Sequence, residues 1–166
     1  METNADLIHR AGQYAQRNGL TLCEQLGCGI HGIVFVAESQ TRPGASAIKV
    51  HERETSFCRE RDVYLRLLDR GVLEIRGCHV PQLLRSDDEL WVIEMEVVKR
   101  PFVLDFAGAY LDTPPDYSDE VIAEWRADKQ EQFGDRWPEV EAILASLERY
   151  GIFLVDVSPS NIAFPP

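Results

Sequence analysis

A glycine-rich segment that runs directly into a β-branched stretch is the feature that most limits how this chain folds. The segment LGCGIHGIVFV contains Gly27, Gly29 and Gly32 and continues with residues 33–36, which are β-branched or aromatic and favour a strand. A dinucleotide-binding loop of the same spelling needs a helix after it. The segment therefore predicts a hairpin whose glycines let backbone N–H groups approach phosphate oxygens, with an unliganded hairpin as the alternative.

Lys49 lies on the strand expected next, in the sequence AIKV. Side chains alternate along a strand, so Ile48 and Val50 take one face and Lys49 takes the other, under the glycine loop. A buried ammonium needs a counter-charge, and the following helix carries one at Glu60. The apolar stripe around Glu60 on this helix consists of Phe57, Val63, Tyr64, Leu67 and Leu68. The pattern predicts a buried Lys49–Glu60 ion pair, with two separate surface charges as the alternative.

The whole pattern predicts an α+β arrangement with a strand-rich front, a mostly helical back and a cleft between them. A short helix ending at Asn18-Gly19 precedes three antiparallel strands, and a second strand pair ends in ELWVIEMEVV. The stretch 101–118 is expected to be irregular or loosely helical. Two helices follow, over DEVIAEWRADKQEQF and RWPEVEAILASLERYG, and the inner stripe of the second is Val140, Ile143, Leu144 and Leu147.

Composition and charge exclude several classes of function. The 166 residues are 45% hydrophobic, which predicts one globular domain. The net charge of −11 argues against binding nucleic acid or an anionic membrane surface. The four cysteines form no C-x-x-C pair, and the N-terminus lacks the features of a signal peptide. We therefore expect a soluble, cytoplasmic protein with reduced thiols.

The sequence GIFLVDVSPSNIAF carries a second chemical signal near the end of the chain. Asp156 is followed five residues later by Asn161, with Pro159 between them. A carboxylate that accepts a proton and a neutral amide oxygen, held on one tight loop, can converge on a magnesium-bound phosphate group.

In this order, the segments GCGIHGIV, AIKV, the Glu60 helix, LWVIEMEVV and DVSPSN resemble the motifs of the eukaryotic-type protein kinase family. The resemblance covers about residues 20 to 164. It implies a single protein kinase-like domain over 1–166, with an N-terminal helix at 1–19. An antiparallel five-stranded N-lobe at 20–98 and an abbreviated, truncated C-lobe at 99–166 complete the implied domain.

The resemblance also implies roles for individual residues. Asp156, Lys49 and Glu60 would be catalytic: Asp156 orients or deprotonates the substrate hydroxyl, and Lys49 pairs with the α- and β-phosphates of ATP with Glu60 behind it. Asn161 would bind Mg²⁺. The residues implied to contact ATP beside Lys49 are Gly27, Gly29 and Gly32 over the phosphates, and Val34, Ala47, Met95, Glu96 and Val98 around the adenine.

Three departures from the family pattern predict weak or absent phosphoryl transfer. Leu154-Val155 stands where the family has His-Arg, and Ser158 stands where it usually has a lysine. The Asp-Phe-Gly metal ligand is expected about a dozen residues beyond Asn161, but the sequence ends at Pro166. Without that ligand and the activation segment, we expect weakened Mg²⁺ binding.

These observations leave three functions open. The first is an ATP-binding minimal kinase or pseudokinase. The second is an active small phosphotransferase acting on protein Ser/Thr or a small molecule, with Asp116, Asp119 or a second chain supplying the metal ligand. The third is a non-enzymatic interaction module. It would use an exposed apolar flank to bind a partner protein or a second copy as a homodimer, and that flank would comprise Val140, Ile143, Leu147 and Phe164.

Overall fold

The computed structural model describes residues 3–165, with four α-helices and eleven strands in that range. Met1, Glu2 and Pro166, which the predicted domain boundaries include, lie outside the described residues. The helices are α1 (Asn4–Asn18), α2 (Glu54–Asp69), α3 (Asp119–Phe133) and α4 (Trp137–Glu148). The strands are β1 (Leu20–Gly29), β2 (Gly32–Ser39), β3 (Ala45–His51), β4 (Glu74–Ile75), β5 (Cys78–His79), β6 (Leu83–Asp87), β7 (Val92–Glu96), β8 (Phe102–Val103), β9 (Tyr110–Leu111), β10 (Ile152–Phe153) and β11 (Ile162–Ala163).

Five strands form one antiparallel sheet in the order β1-β2-β3-β7-β6. The predicted α+β class and the predicted five-stranded antiparallel sheet are therefore confirmed. The glycine-rich segment joins β1 to β2 as a hairpin, as its β-branched continuation indicated. Within residues 3–165, no helix combines the length and the apolar character needed to cross a membrane.

The two faces of this sheet bury different partners. Helix α1 covers one face, where Leu7 and Ala11 pack in the same cluster as Ile48 and Val50 of β3. The other face carries α2, with Phe57, Val63, Tyr64 and Leu67 in the larger core cluster. Lys49 follows the alternation of β3 and faces α2, which is the side that the sequence predicted.

A buried polar contact ties α1 to the sheet. The Tyr14 hydroxyl donates a hydrogen bond to Glu94 Oε2 at 2.8 Å, and Arg85 Nε donates to the same oxygen at 2.8 Å. Glu94 is only 1% exposed, so its charge depends on these donors for stabilisation. Burial and the neighbouring Glu94 carboxylate raise the pKa of Tyr14, which keeps the hydroxyl protonated as a donor.

The Tyr14→Phe substitution is expected to lower the free energy of unfolding by about 1–3 kcal/mol, because it removes a donor from a buried carboxylate. Tyr150→Phe is the matched control, since the Tyr150 hydroxyl makes no hydrogen bond within residues 3–165, and its effect is expected to stay within about 0.5 kcal/mol. Urea denaturation of both variants measures the difference. Equal losses in the two variants would contradict a stabilising role for the Tyr14–Glu94 bond.

The helical back buries the apolar stripe of α4. Val140, Ile143 and Leu147 are at most 1% exposed, and Phe164 packs against the same core. The prediction that these residues form an exposed flank is therefore wrong, because neighbouring elements of the chain itself cover them. The predicted association with a partner protein, or with a second copy through the C-lobe, stays a prediction.

The stripe of α2 also differs from its prediction at one position. Leu68 is 43% exposed and lies outside the core. Leu67 takes the inward position instead, and successive helix residues are about 100° apart around the axis, so Leu68 points outward. The remaining predicted stripe residues of α2 are buried.

The stretch 101–118 is largely irregular, which is one of the two predicted alternatives, but it also contributes two short strands that pair with residues 152–163. Strand β8 pairs with β11, with Val103 opposite Ile162, and β9 pairs with β10, with Tyr110 opposite Phe153. These pairings join segments about 40 and 60 residues apart, so no local periodicity reports them. Their consequence is that residues 104–108 lie beside the Asp156 loop.

Candidate functional site

A cleft of about 570 Å³ lies between the sheet and the helical back. It is lined by the glycine loop, β3, α2, the segment after β7, the stretch after β8 and the loop after β10. Every residue to which the family resemblance gave a role in catalysis, ATP binding or metal binding lines it. These residues are Gly27, Gly29, Gly32, Val34, Ala47, Lys49, Glu60, Met95, Glu96, Val98, Asp156 and Asn161.

The predicted Lys49–Glu60 ion pair is present in the floor of the cleft. Lys49 Nζ lies 2.7 Å from Glu60 Oε2, and the two side chains are 6% and 1% exposed. Burial alone would lower the pKa of Lys49, but the carboxylates of Glu60 and Asp105 raise that pKa overall. The lysine is therefore held as an ammonium that can donate hydrogen bonds to an anion in the cleft.

His51 supports Glu60 from the side away from the cleft, a contact that the sequence did not reveal. Its Nε2 lies 2.6 Å from Glu60 Oε2, and its Nδ1 lies 3.2 Å from the carbonyl oxygen of Trp91. His51 is fully buried. Burial alone would raise the pKa of Glu60, but the Lys49 charge and the His51 hydrogen bond lower this pKa to about 2.

The depressed pKa of Glu60 predicts that stability falls in acid. Its contribution is fully present above the unfolded-state pKa near 4.5 and is lost as the pH falls towards about 2. The expected loss is on the order of 3 kcal/mol for a fully buried carboxylate. Chemical denaturation between pH 6 and about 2.5 measures it. The Glu54→Gln variant, altered at an exposed carboxylate of α2, should keep the same acid transition, and a stability curve that is flat below pH 4.5 would contradict the prediction.

Asp105 is a charged residue of the cleft that sequence reasoning missed. Its Oδ1 lies 2.7 Å from Lys49 Nζ, and its side chain is 33% exposed. The Leu104 N–H donates to the Asn161 carbonyl at 2.9 Å, which fixes Asp105 beside the Asp156–Asn161 loop. Asp105 has a φ of 67°, an uncommon backbone conformation for a residue other than glycine that often marks functional positions.

A signal for Asp105 was present in the sequence, but in an unexpected place. Asp105 is followed by Phe106 and then by Gly108, in the order LDFAG. This Asp-Phe pair precedes the Asp156 loop, whereas the family pattern places it after that loop. The two acidic residues proposed as substitutes, Asp116 and Asp119, are exposed and do not line the cleft.

The loop after β10 is held by its own side chains. Asn161 Nδ2 donates to the Asp156 carbonyl at 2.7 Å, and the Ser158 N–H donates to Asn161 Oδ1 at 2.7 Å. His31, at the tip of the glycine hairpin, places its Nε2 2.9 Å from Asp156 Oδ2. The glycine hairpin therefore reaches across the cleft to the carboxylate that the sequence singled out.

Gly108 permits the close approach of its segment to Asp156. A Cβ at this position would lie 2.9 Å from Asp156 Cβ, a separation that real Cβ atoms essentially never show. The Gly108→Ala substitution is expected to displace Asp156 and to lower any activity that depends on it by about 100-fold. Gly12→Ala, a substitution in α1 where a Cβ meets nothing within 4 Å, is the control and should leave activity unchanged. Equal activities of the two variants in a phosphoryl-transfer assay would contradict this prediction.

The segment after β7 closes the apolar end of the cleft. Ala47 and Met95 are paired across β3 and β7 and are 7% and 6% exposed. The Glu96 N–H donates to the Gln82 carbonyl at 3.0 Å, so it is not available to a ligand.

Comparisons with known proteins give a structural likeness. No family model and no curated protein matches the chain. A crystal structure of the M. tuberculosis PknI kinase domain is similar at 22% sequence identity and a TM-score of 0.38, over 86% of this chain and 53% of that chain. The chain thus spans about half the length of that solved structure. At this identity and TM-score, the likeness adds nothing to the assignment of the cleft, which is based on its own geometry.

Proposed function

We propose that the protein is a protein kinase-like phosphotransferase that binds a nucleoside triphosphate with Mg²⁺ in the cleft. It transfers the terminal phosphoryl group to a hydroxyl group. The main support for this proposal is the position of the Asp105 carboxylate, which lies 2.7 Å from Lys49 Nζ and beside the Asp156–Asn161 loop. It supplies an acidic oxygen where the sequence pattern alone had left the metal site incomplete.

The residues present fit a nucleotide-bound magnesium ion. Among residues 3–165, no three His, Cys, Asp or Glu side chains converge to hold a metal ion by themselves. Mg²⁺ in nucleotide sites usually takes one or two protein oxygens together with phosphates and waters. The Asp105 carboxylate and Asn161 Oδ1, which has a second lone pair beside its bond from Ser158, provide such a pair. When bound, the ion would neutralise charge on the phosphate oxygens.

The chain's own groups would perform the remaining tasks. Lys49 donates to phosphate oxygens while Glu60 holds its ammonium in place, and the glycine-hairpin N–H groups cover the phosphates. Asp156 accepts the proton of the acceptor hydroxyl. The acceptor oxygen bonds to the terminal phosphorus as the bond from that phosphorus to its bridging oxygen breaks, and the nucleoside diphosphate leaves.

Calorimetric titration with ATP, in the presence and absence of Mg²⁺, tests the binding part of the proposal. Lys49→Met should weaken binding by at least about tenfold, because it removes a charge-assisted contact to phosphate. Lys129→Met on α3, outside the cleft, is the matched control and should bind ATP like the unaltered protein. The absence of ATP binding in both conditions would exclude the proposal.

Nucleotide binding without transfer is the second candidate, because the His31 imidazole contacts the Asp156 carboxylate at 2.9 Å and Ser158 replaces a lysine. Transfer of labelled phosphate separates the two candidates. Phosphotransferase activity predicts product that Asp156→Asn abolishes, whereas equal signals from both proteins would leave only the binding function.

A further inference from the structure

A second cavity of about 720 Å³ also reaches Asp156, and its lining contains no residue of the glycine hairpin. It is a groove between α3, α4 and the Pro114–Pro115 turn, and its floor is the chain from Phe153 to Asp156. Trp125 Nε1 donates to the Val155 carbonyl at 2.9 Å, which fixes α3 to that floor. The main apolar and aromatic residues that line the groove are Tyr117, Val121, Ile122, Trp125, Trp137 and Leu144.

Asp156 lines both this groove and the cleft. Its side chain is 48% exposed, and its carboxylate is the group to which the proposed function assigns the acceptor proton. An acceptor must reach this carboxylate from a direction that the nucleotide does not occupy. The groove provides that direction, because it is the second cavity that ends at Asp156.

The charges of the groove favour a cationic ligand. Arg126 and Glu141 lie 3.4 Å apart as an ion pair and compensate each other. Glu148 is exposed and makes no side-chain hydrogen bond or ion pair within residues 3–165. Its carboxylate therefore adds a negative charge with no cation beside it to an otherwise apolar surface, whose indole and phenol rings attract cations. Asp156, whose Oδ2 also contacts His31 Nε2 at 2.9 Å, is a further carboxylate of the lining.

We infer that this groove binds the phosphoryl acceptor, a small-molecule amine that carries an apolar group and a hydroxyl. The apolar group packs between Trp125, Val121 and Leu144, the ammonium faces Glu148, and the hydroxyl lies at Asp156. The volume matches the range of about 300–1,000 Å³ that is typical of small-ligand sites. The inference rests on the proposed function for the transfer step, but the binding that it requires is measurable without nucleotide.

The three tryptophans allow binding to be located directly. Two of them, Trp125 and Trp137, line the groove, whereas Trp91 lies in the turn before β7, under the Arg10 guanidinium, and is an internal control. Titration of the ¹⁵N-labelled full chain with phenylalaninol, an aromatic amino alcohol, should shift the indole N–H signals of Trp125 and Trp137 to saturation and leave that of Trp91 in place. The Trp125→Phe and Trp91→Phe variants assign the signals.

Matched probes and variants test whether Glu148 binds the ammonium group of the ligand. The uncharged analogue 3-phenylpropan-1-ol should bind at least about fivefold more weakly, and Glu148→Gln should remove this difference. Glu131→Gln, an exposed carboxylate of α3 outside the groove, should preserve it. The inference would be overturned by equal affinities for the two probes or by equal shifts at all three tryptophans. It would also be overturned if saturating probe caused no shift, or if only basic peptides bound.

Different measurements would contradict the proposed phosphotransferase function and the proposed acceptor groove. ATP calorimetry on the same protein reports the nucleotide cleft, whereas the indole signals report the groove in the absence of nucleotide. A shift of Trp125 and Trp137 without any ATP binding would exclude the phosphotransferase function and its acceptor role, while leaving an amine-binding groove. ATP binding without a specific indole shift would overturn the acceptor site alone.

Discussion

Asp105→Asn is expected to lower phosphoryl transfer by at least about 100-fold and to abolish the dependence of ATP affinity on Mg²⁺. The amide preserves the shape of the side chain but removes the charge that a magnesium ion needs at this position. Lys49 keeps its 2.7 Å contact with Glu60, so the ammonium stays in place and metal-free nucleotide binding should persist. Calorimetry with and without Mg²⁺, together with a phosphate-transfer assay, measures both effects.

The control for Asp105 is Asp116→Asn, since Asp116 is exposed and lies outside the cleft. It should match the unaltered protein in both assays. If Asp116→Asn rather than Asp105→Asn removed the Mg²⁺ dependence, the chain would bind the ion with a residue that the structure places away from the cleft. That result would refute the role of Asp105.

Glu60→Gln is expected to destabilise the fold by about 3–5 kcal/mol, because it removes the charge that two buried groups share. Glu60 Oε2 lies 2.7 Å from Lys49 Nζ and 2.6 Å from His51 Nε2, and all three side chains are at most 6% exposed. The loss is large compared with the total stability of about 5–15 kcal/mol that is usual for a domain. Urea denaturation followed by circular dichroism measures it.

Two variants separate the charge effect from general damage to α2. Glu54→Gln changes an exposed carboxylate of the same helix and should cost less than about 0.5 kcal/mol. Lys49→Met leaves Glu60 in contact with His51, so it should destabilise the fold less than Glu60→Gln while it weakens ATP binding. A Glu60→Gln variant as stable as Glu54→Gln would show that the buried cluster does not stabilise the fold.

The residues predicted correctly for the cleft are those whose placement follows from local periodicity. Because side chains alternate along β3, Lys49 was predicted on the face of the strand opposite to Ile48 and Val50. The apolar stripe of α2 likewise predicted that the Glu60 side chain is buried. A short spacing likewise put Asn161 on the same loop as Asp156, where the Asn161 amide bonds to the Asp156 carbonyl. In each case the neighbours that decide the position are within a few residues in the chain.

The residues that were missed take their roles from contacts between separate elements, which the periodicity of one element does not report. His51 belongs to a strand whose end meets Trp91 and α2, and nothing in its own surroundings in the sequence reports the contact with Glu60. Asp105 reaches Lys49 because β8 pairs with β11, sixty residues later. The family pattern places its Asp-Phe-Gly ligand after Asn161, so the Asp105-Phe106 pair before the Asp156 loop went unrecognised.

The sequence by itself determined the α+β class, the glycine hairpin, the faces of β3 and α2, and the Asp156–Asn161 loop, because side-chain periodicity and turn chemistry act over short distances. Only the tertiary structure decided that Asp105 completes the cleft, that the α4 stripe is covered, and that a second groove ends at Asp156. Those features arise where segments far apart in the chain pack together. Their energies depend on non-local contacts that leave no pattern within any one segment.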